Sequence, residues 1–390
     1  MNNCLSNSLS KKNNNLAIKF PLGIASGEYF CNRISETNLL VNNIKKGVHT
    51  VLISPRRYGK TSLAYRAIDK SGFVNAKVDL FMATSQQDVA KSILSAIDHL
   101  LSQVRSTTEE ILNVFKTYIK TLKPVLEAGS GGFKVRLDLR SDTVINESIK
   151  EGLQILDAVL QKKSMQAVLL IDEFQELQKI APKSGIDGVI RHIAQETKSI
   201  SFVFSGSHRN MLQSMFNDRA KPLYRLCDEI HLDRIQGRDY KPFMDSFAQS
   251  RWRQSFPKDV LAKIMEYTQA HPYYFNFISS KLFDVDNIPG VQDVTLIWQG
   301  LLVKKRQDLL VEMRVLNLNH KKIMVAIANG INTGLTSHSF IAKCAVPSAT
   351  IIRCLEFLQQ NDFIAKNEDT QKYFIIDPLL KWMLSTQVYI

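Results

Sequence analysis

Lys60 and Thr61 lie in the stretch VLISPRRYGKTSL, Val51 to Leu63, and Gly59 precedes them. These three residues end the phosphate-binding pattern G-x-x-x-x-G-K-[ST]; its first glycine is replaced here by Ser54. In that chemistry backbone N–H groups converge on phosphate oxygens at a helix N-terminus. The loop candidates are Ser54, Pro55, Arg56, Arg57, Tyr58, Gly59, Lys60, Thr61 and Ser62. Gly59 lets the backbone come close, Lys60 reaches the β- and γ-phosphates, and the Thr61 hydroxyl is a magnesium ligand. Ser54 is small enough for the turn, and its hydroxyl can replace a lost local contact.

A second constellation is AVLLIDEFQEL, residues 167 to 177. Five apolar residues, Ala167 to Ile171, form a run suited to a strand buried on both faces. Asp172 and Glu173 follow at its C-terminal end, the edge where open parallel sheets bind ligands. Asp172 there can hold magnesium through water, and Glu173 can polarise an attacking water. The plainer alternative is a strand that ends in solvated acids. A third stretch, SISFVFSGSHRNMLQSMF, residues 199 to 216, ends a strand in Ser205-Gly206-Ser207. A polar residue at that tip can sense a γ-phosphate or position water, Ser205 before Ser207; both serines could instead cap the following helix.

Placing these groups requires a strand–loop–helix unit around Lys60. Thr50 to Ile53 is β-prone, Ser54-Pro55 signals a turn, and TSLAYRAID follows with helical periodicity. Ala76 to Leu80 and Ile200 to Phe204 are further strands, and Gln87 opens an amphipathic helix. Residues 106 to 123 read as a helix, and 129 to 142 alternate like an exposed hairpin arm, a partner surface or mere decoration. From Gly237 to Asp286 the pattern is helical, and a basic helical linker holds Lys304, Lys305 and Arg306. From Asn319 the order is three helices, a hairpin and a helix, the order of a winged helix. The expected fold class is therefore α/β: a P-loop NTPase core with a parallel sheet, a helical lid and a C-terminal winged-helix domain. The boundaries are a disordered lead-in over 1–20, the core over 21–235, the lid over 236–290, a linker over 291–318 and the winged helix over 319–390.

The chain has 390 residues, 45% hydrophobic and 22% charged, with a formal net charge of +13. That composition suits a globular protein, and no apolar run approaches the roughly 18 residues of a membrane helix. The polar, Asn-rich N-terminus does not read as a secretory signal. Five scattered cysteines without a C-x-x-C argue against a disulfide framework and a zinc site, and fit a cytoplasmic location. The positive charge invites a nucleic-acid partner, but residues 321–390 hold seven Lys/Arg against five Asp/Glu. The third helix offers one arginine, Arg353, beside Glu356, and the wing tip carries Glu368 and Asp369. DNA is thus not the favoured ligand of that domain; packing on the core or on a protein partner is.

PRRYGKTSL, LLIDEFQEL and SGSHRNMLQSMF together resemble the archaeal-type AAA-related ATPases, a group similar to the signal-transduction ATPases with numerous domains and more distantly to origin-recognition proteins. FCNRISETNLL, Phe30 to Leu40, resembles that family's F-x-x-R-x-x-E segment near the adenine and implicates Arg33. KPLYRLCDEIHLDRI, 221 to 235, is similar to the segment after the sensor strand, which carries an arginine. The resemblance makes Arg225, then Arg219, the candidate arginine finger. QAHPYYF, 269 to 275, resembles the lid motif G-H-P-Y-Y, with Ala270 for glycine and His271 as the nucleotide-sensing candidate. The resemblance spans about residues 20 to 390. It implies ATP and Mg2+ as cofactors, with Thr61 and Asp172 placing the metal, and catalytic roles for Glu173, Lys60, Ser205 and Arg225. The expected function is a slow, magnesium-dependent ATP-hydrolysing switch that couples nucleotide state to the C-terminal domain, with self-association open. The alternative is a nucleotide-dependent DNA- or protein-binding regulator with negligible turnover. A defence or transposon-linked accessory ATPase is a further option.

Overall fold

The computed structural model describes residues 20–104, 114, 122–129, 132–139, 145–367 and 369–386, with the backbone alone given over 122–139. Five parallel strands form the central sheet: β1 (Thr50–Ile53), β2 (Val74–Asp79), β5 (Ala167–Asp172), β6 (Ile200–Gly206) and β7 (Asp228–His231). Their order is β2-β5-β6-β1-β7. Two antiparallel pairs stand apart from it: β3 (Leu122–Gly129) with β4 (Gly132–Leu139), and β8 (Ile364–Lys366) with β9 (Tyr373–Ile375).

The unbroken apolar runs of the sheet are explained by helices on both faces. Alternate residues of β5 serve different cores. Ala167, Leu169 and Ile171 pack with the helices Gln86–Gln103, Ile145–Lys162 and Ile186–Glu196. Val168 and Leu170 pack with the helices Ile34–Lys45 and Lys60–Ser71. All six residues of β5 are buried. Each fully buried aliphatic side chain contributes roughly 1.5–3 kcal/mol, so the sheet is a stiff base for the residues at its C-terminal edge.

Beyond β7 the described residues are helical until the β8–β9 pair. One apolar core runs through the helices Gly237–Trp252, Lys258–Thr268, Pro272–Leu282 and Val291–Glu312 and on into Leu318–Ala328, Ser348–Gln360 and Pro378–Ser385. The last part has the element order expected of a winged helix. Phe20, which the sequence leaves in the lead-in, is buried in this core against Phe243, Phe247 and Phe283. The apolar ring outweighs its polar context.

The hairpin expected over 129–142 begins earlier, at Leu122, which pairs with Leu139. Leu122 and Lys123 therefore belong to a strand and not to the expected helix; apart from residue 114, the rest of that helix lies outside the described residues, as do Glu368 and residues 1–19. Among the described residues no helix is long and apolar enough to cross a membrane.

Candidate functional site

Strand β1 ends at Ile53, and the chain turns through residues 54–59 into the helix Lys60–Ser71. In this turn Arg57 (φ 63°) and Gly59 (φ 89°) are left-handed, and Ser54 is not. A side chain therefore fits at residue 54 without the backbone strain that would demand glycine. Lys60 is folded back into the loop. Its Nζ donates to the carbonyls of Ser54 and Pro55, both at 2.8 Å, and to Ser54 Oγ at 3.2 Å. Burial pulls the Lys60 ammonium down to about 8, against the raising pull of the carboxylates of Glu173, Asp172 and Asp362. Ser62 Oγ accepts the Ala25 N–H at 2.9 Å and so ties the residue 20–30 segment to the loop.

Two strands away, β5 delivers Asp172 and Glu173. Asp172 Oδ1 accepts from Ser205 Oγ at 2.5 Å and from the Glu173 N–H at 3.1 Å. Its Oδ2 meets Lys77 Nζ at 3.0 Å and the Thr61 hydroxyl at 3.4 Å. Burial pushes the Asp172 carboxyl up, but Ser205 and Lys77 pull it further down, so it titrates below the usual carboxylate range. Glu173 stands at a left-handed φ of 53°. Its Oε2 accepts from Gln175 Nε2 at 2.6 Å, Ser207 Oγ at 2.7 Å and the Ser207 N–H at 3.2 Å. Arg56 Nε donates to Ser207 Oγ at 3.3 Å.

A cavity of about 440 Å³ joins these groups. Lys60, Thr61, Asp172, Glu173, Ser207 and Arg56 line its charged end. Its more apolar end is formed by Pro21 to Ala25, Phe30, Ile235 and Tyr240, with Asn276 donating to Pro21 O beside them. Arg33 lines it as well, buried and left-handed; its guanidinium pairs with Glu36 and reaches the carbonyls of Tyr58 and Asp233. Arg57 also lines the cavity, and its guanidinium lies 4.3 Å from the centre of the Tyr273 ring.

Four expected candidates outside the phosphate loop do not line the cavity. Ser205 is fully buried and hydrogen-bonded to the cavity-lining Asp172, whereas Ser207 lines the cavity itself. The strand tip turns outward only after Gly206. Arg225 is exposed and outside the cavity: its backbone N–H caps Phe216 O, and its guanidinium lies against the neighbouring Tyr224 ring. Arg219 is likewise exposed. His271 is buried between the Tyr58 and Tyr274 rings, and its neighbours Pro272 and Tyr273 line the cavity in its place. Burial, then Arg234 and Arg57, hold its imidazole down to about 3, neutral and apolar in effect. Ala270 sits at φ 61°, a conformation that glycine adopts without strain.

The sequence did not single out Lys77, Gln175, Arg234 or Asp362. Lys77 had a faint signal, a charge between the buried Ala76 and Val78. Gln175 is wholly buried beside two acids and gives no periodic signal of its role. Arg234 and Asp362 act across long sequence separations, which one sequence does not display.

A five-stranded parallel sheet, a Gly-Lys-Thr turn entering a helix after β1 and an acidic pair ending β5 define a P-loop NTPase fold. Residues 45–215 match the family model described as an AAA domain. The chain is similar in structure to a Walker-type ATPase of Pyrococcus abyssi, with a TM-score of 0.66 and 16% identity over 94% of this chain and 99% of that one. It is also similar to the ORC2 protein of Aeropyrum pernix in its ADPNP–ADP complexes, with a TM-score of 0.55 and 12% identity over 95% of this chain and 98% of that one. At such identities the likeness is one of fold. None of the curated proteins matches the chain in sequence. Residues 45–215 thus carry an AAA-domain match on a P-loop NTPase fold.

Proposed function

We propose that the cavity binds ATP with Mg2+ and that the chain hydrolyses it slowly, as a switch. The observation that carries this reading is the convergence of Lys60, Thr61, Asp172 and Glu173 on the charged end of the cavity. The apolar end suits a purine, with Arg33 fixing the loop beside it, and the ADPNP and ADP in the Aeropyrum pernix protein's complexes support the same ligand class. Thr61 and Asp172 offer two hard oxygens 3.4 Å apart, a donor set that fits magnesium shared with phosphate oxygens. When bound, the ion neutralises phosphate charge. Lys60 holds phosphate oxygens, and Ser207 reports on the terminal one. Glu173 takes a proton from water as the water oxygen bonds to the γ-phosphorus and the bond to the β-phosphate oxygen breaks. Arg56, which donates to Ser207 Oγ, is the arginine we assign to this step. Arg225, exposed on the surface, is free to act on a second copy of the chain.

Two contacts support coupling to the C-terminal elements. Asp362 Oδ2 accepts the Arg209 N–H at 3.3 Å, so it caps the helix Arg209–Asn217 two residues beyond Ser207. Arg234 donates to Tyr58 OH at 3.1 Å, Gln269 O at 3.0 Å and Ile376 O at 2.9 Å, which ties loop, lid and C-terminal elements together. The third helix of the C-terminal part is docked at its end, where Gln359 O accepts from Asn210. Its exposed Arg353 is offset by Glu356. These contacts favour the core or a protein as the partner over DNA.

The test is phosphate release and nucleotide affinity, with hydrogen exchange at residues 209–217, for wild type, Lys60→Ala and Glu173→Gln. Lys60→Ala should weaken ATP binding by about a hundredfold, and Glu173→Gln should bind ATP without turning it over. Exchange at 209–217 should respond to ATP in wild type and not in Lys60→Ala. Wild-type affinity in Lys60→Ala would remove the nucleotide site. ATP binding without turnover in wild type would leave a nucleotide-gated binding module.

A further inference from the structure

We propose that Gln175 is a positioning residue for hydrolysis, whose side-chain amide fixes Glu173 so that one carboxylate oxygen is held and the other serves the water. This rests on the reading of Glu173 as the water-activating base. Gln175 has no exposed surface. Its Nε2 donates to Glu173 Oε2 at 2.6 Å and to Glu176 Oε1 at 3.3 Å. Both Ser207 donors converge on the same Glu173 oxygen. None of these three bonds uses Oε1.

The other end of the amide shows that packing is not the reason for a glutamine here. Gln175 Oε1 is buried without a hydrogen-bond partner. A buried acceptor left unpaired is unfavourable, so packing alone would favour Met or Leu at this position. The place for that oxygen is made by Gly206, where a Cβ would overlap it. What the amide returns is a neutral donor on Glu173. A lysine in its place would pair with the base as an ion, and a carboxylate would repel it. The arrangement also answers the geometry of the turn: Glu173 has a left-handed backbone, and a long side chain there needs an external contact to choose one rotamer.

The test uses the full chain with two substitutions, Gln175→Met and Gln175→Glu, read by kcat, ATP dissociation constant and thermal midpoint beside wild type. Met keeps the length and removes the donor. Its kcat should fall about tenfold, with ATP affinity held within about twofold. Gln175→Glu should lose more at about pH 8, and its rate relative to wild type should recover toward about pH 6, because a protonated carboxyl donates where the amide did. A merely structural role would move the thermal midpoint and ATP affinity along with the rate, whereas positioning lowers kcat alone in a folded Met variant. Wild-type kcat in a folded Met variant, or a Glu variant whose relative rate ignores pH, overturns the proposal. Absence of turnover in wild type removes the reading of Glu173 instead, and the proposal with it.

Discussion

The two walls of the charged end are built differently. At β1 the main chain does the holding: Lys60 is seated on two carbonyls, and Gly59 supplies the left-handed turn. At β5 and β6 side chains do it: Ser205 and Lys77 grip Asp172, while Gln175 and Ser207 grip Glu173. A wall made of backbone tolerates a change of side chain as long as the φ angles are kept. A wall made of buried side chains has no such freedom, because each group has one place to go. The loop therefore departs from its pattern at Ser54 without losing its geometry, and equivalent changes at the acidic wall should be costly.

The sharpest break of this contrast is Gly206→Ala. The added Cβ would overlap the fully buried Gln175 amide, whose nitrogen is already committed to Glu173 and Glu176. Overpacking of this kind costs roughly 3 kcal/mol, and it displaces the contact that fixes Glu173. Thermal denaturation should show a clear loss of stability, with a fall in turnover at saturating ATP. A variant as stable and as active as wild type would mean that the acidic wall is softer than its packing implies.

A second contrast is electrostatic and lies at Lys60. The fold brings its ammonium from the ordinary 10.5 down to about 8. Between those values the unfolded chain carries more protons than the folded one, so this group's contribution to stability rises with pH over that window. Phosphate binding has the opposite sign. It needs the charged form, and ATP affinity should fall as pH rises through about 8, by up to about 1.4 kcal/mol per unit. Lys60→Arg keeps its charge throughout and should flatten the affinity profile. Titration of ATP binding from about pH 7 to about pH 9.5 checks this; a flat wild-type profile would place the Lys60 transition elsewhere.

Much of this architecture was legible in the sequence, and the reasons differ by region. The runs Thr50 to Ile53 and Ala167 to Ile171 are apolar because both faces of the sheet are covered, and such runs advertise themselves. Lys60, Thr61, Asp172 and Glu173 stand out in the sequence because the loop pattern and the strand end fix their spacing, and the structure brings all four to one cavity. Ser205 and Ser207 were both visible, but which of them lines the cavity depends on where the strand tip turns. Asp362 and Gln175 were not visible, because their partners are set by docking and by packing and not by periodicity. Leu122 reads as helix in the sequence because the helical pattern upstream of it gives no sign of where pairing with Leu139 begins.

The smallest effect probes the loop itself. Ser54→Gly restores the phosphate-binding pattern and removes one oxygen from Lys60, the hydroxyl at 3.2 Å. The two carbonyls at 2.8 Å remain. Loss of a hydrogen bond and the added freedom of glycine in the unfolded chain both lower stability, together by about 1 kcal/mol. The same loss loosens the resting grip on Lys60, so ATP affinity should hold or rise by no more than about threefold. If the main chain holds this wall, the stability change and the affinity change have opposite signs and both are small. An affinity loss beyond about tenfold would show that the Ser54 hydroxyl itself serves the nucleotide, and the loop would then depend on a side chain as the acidic wall does.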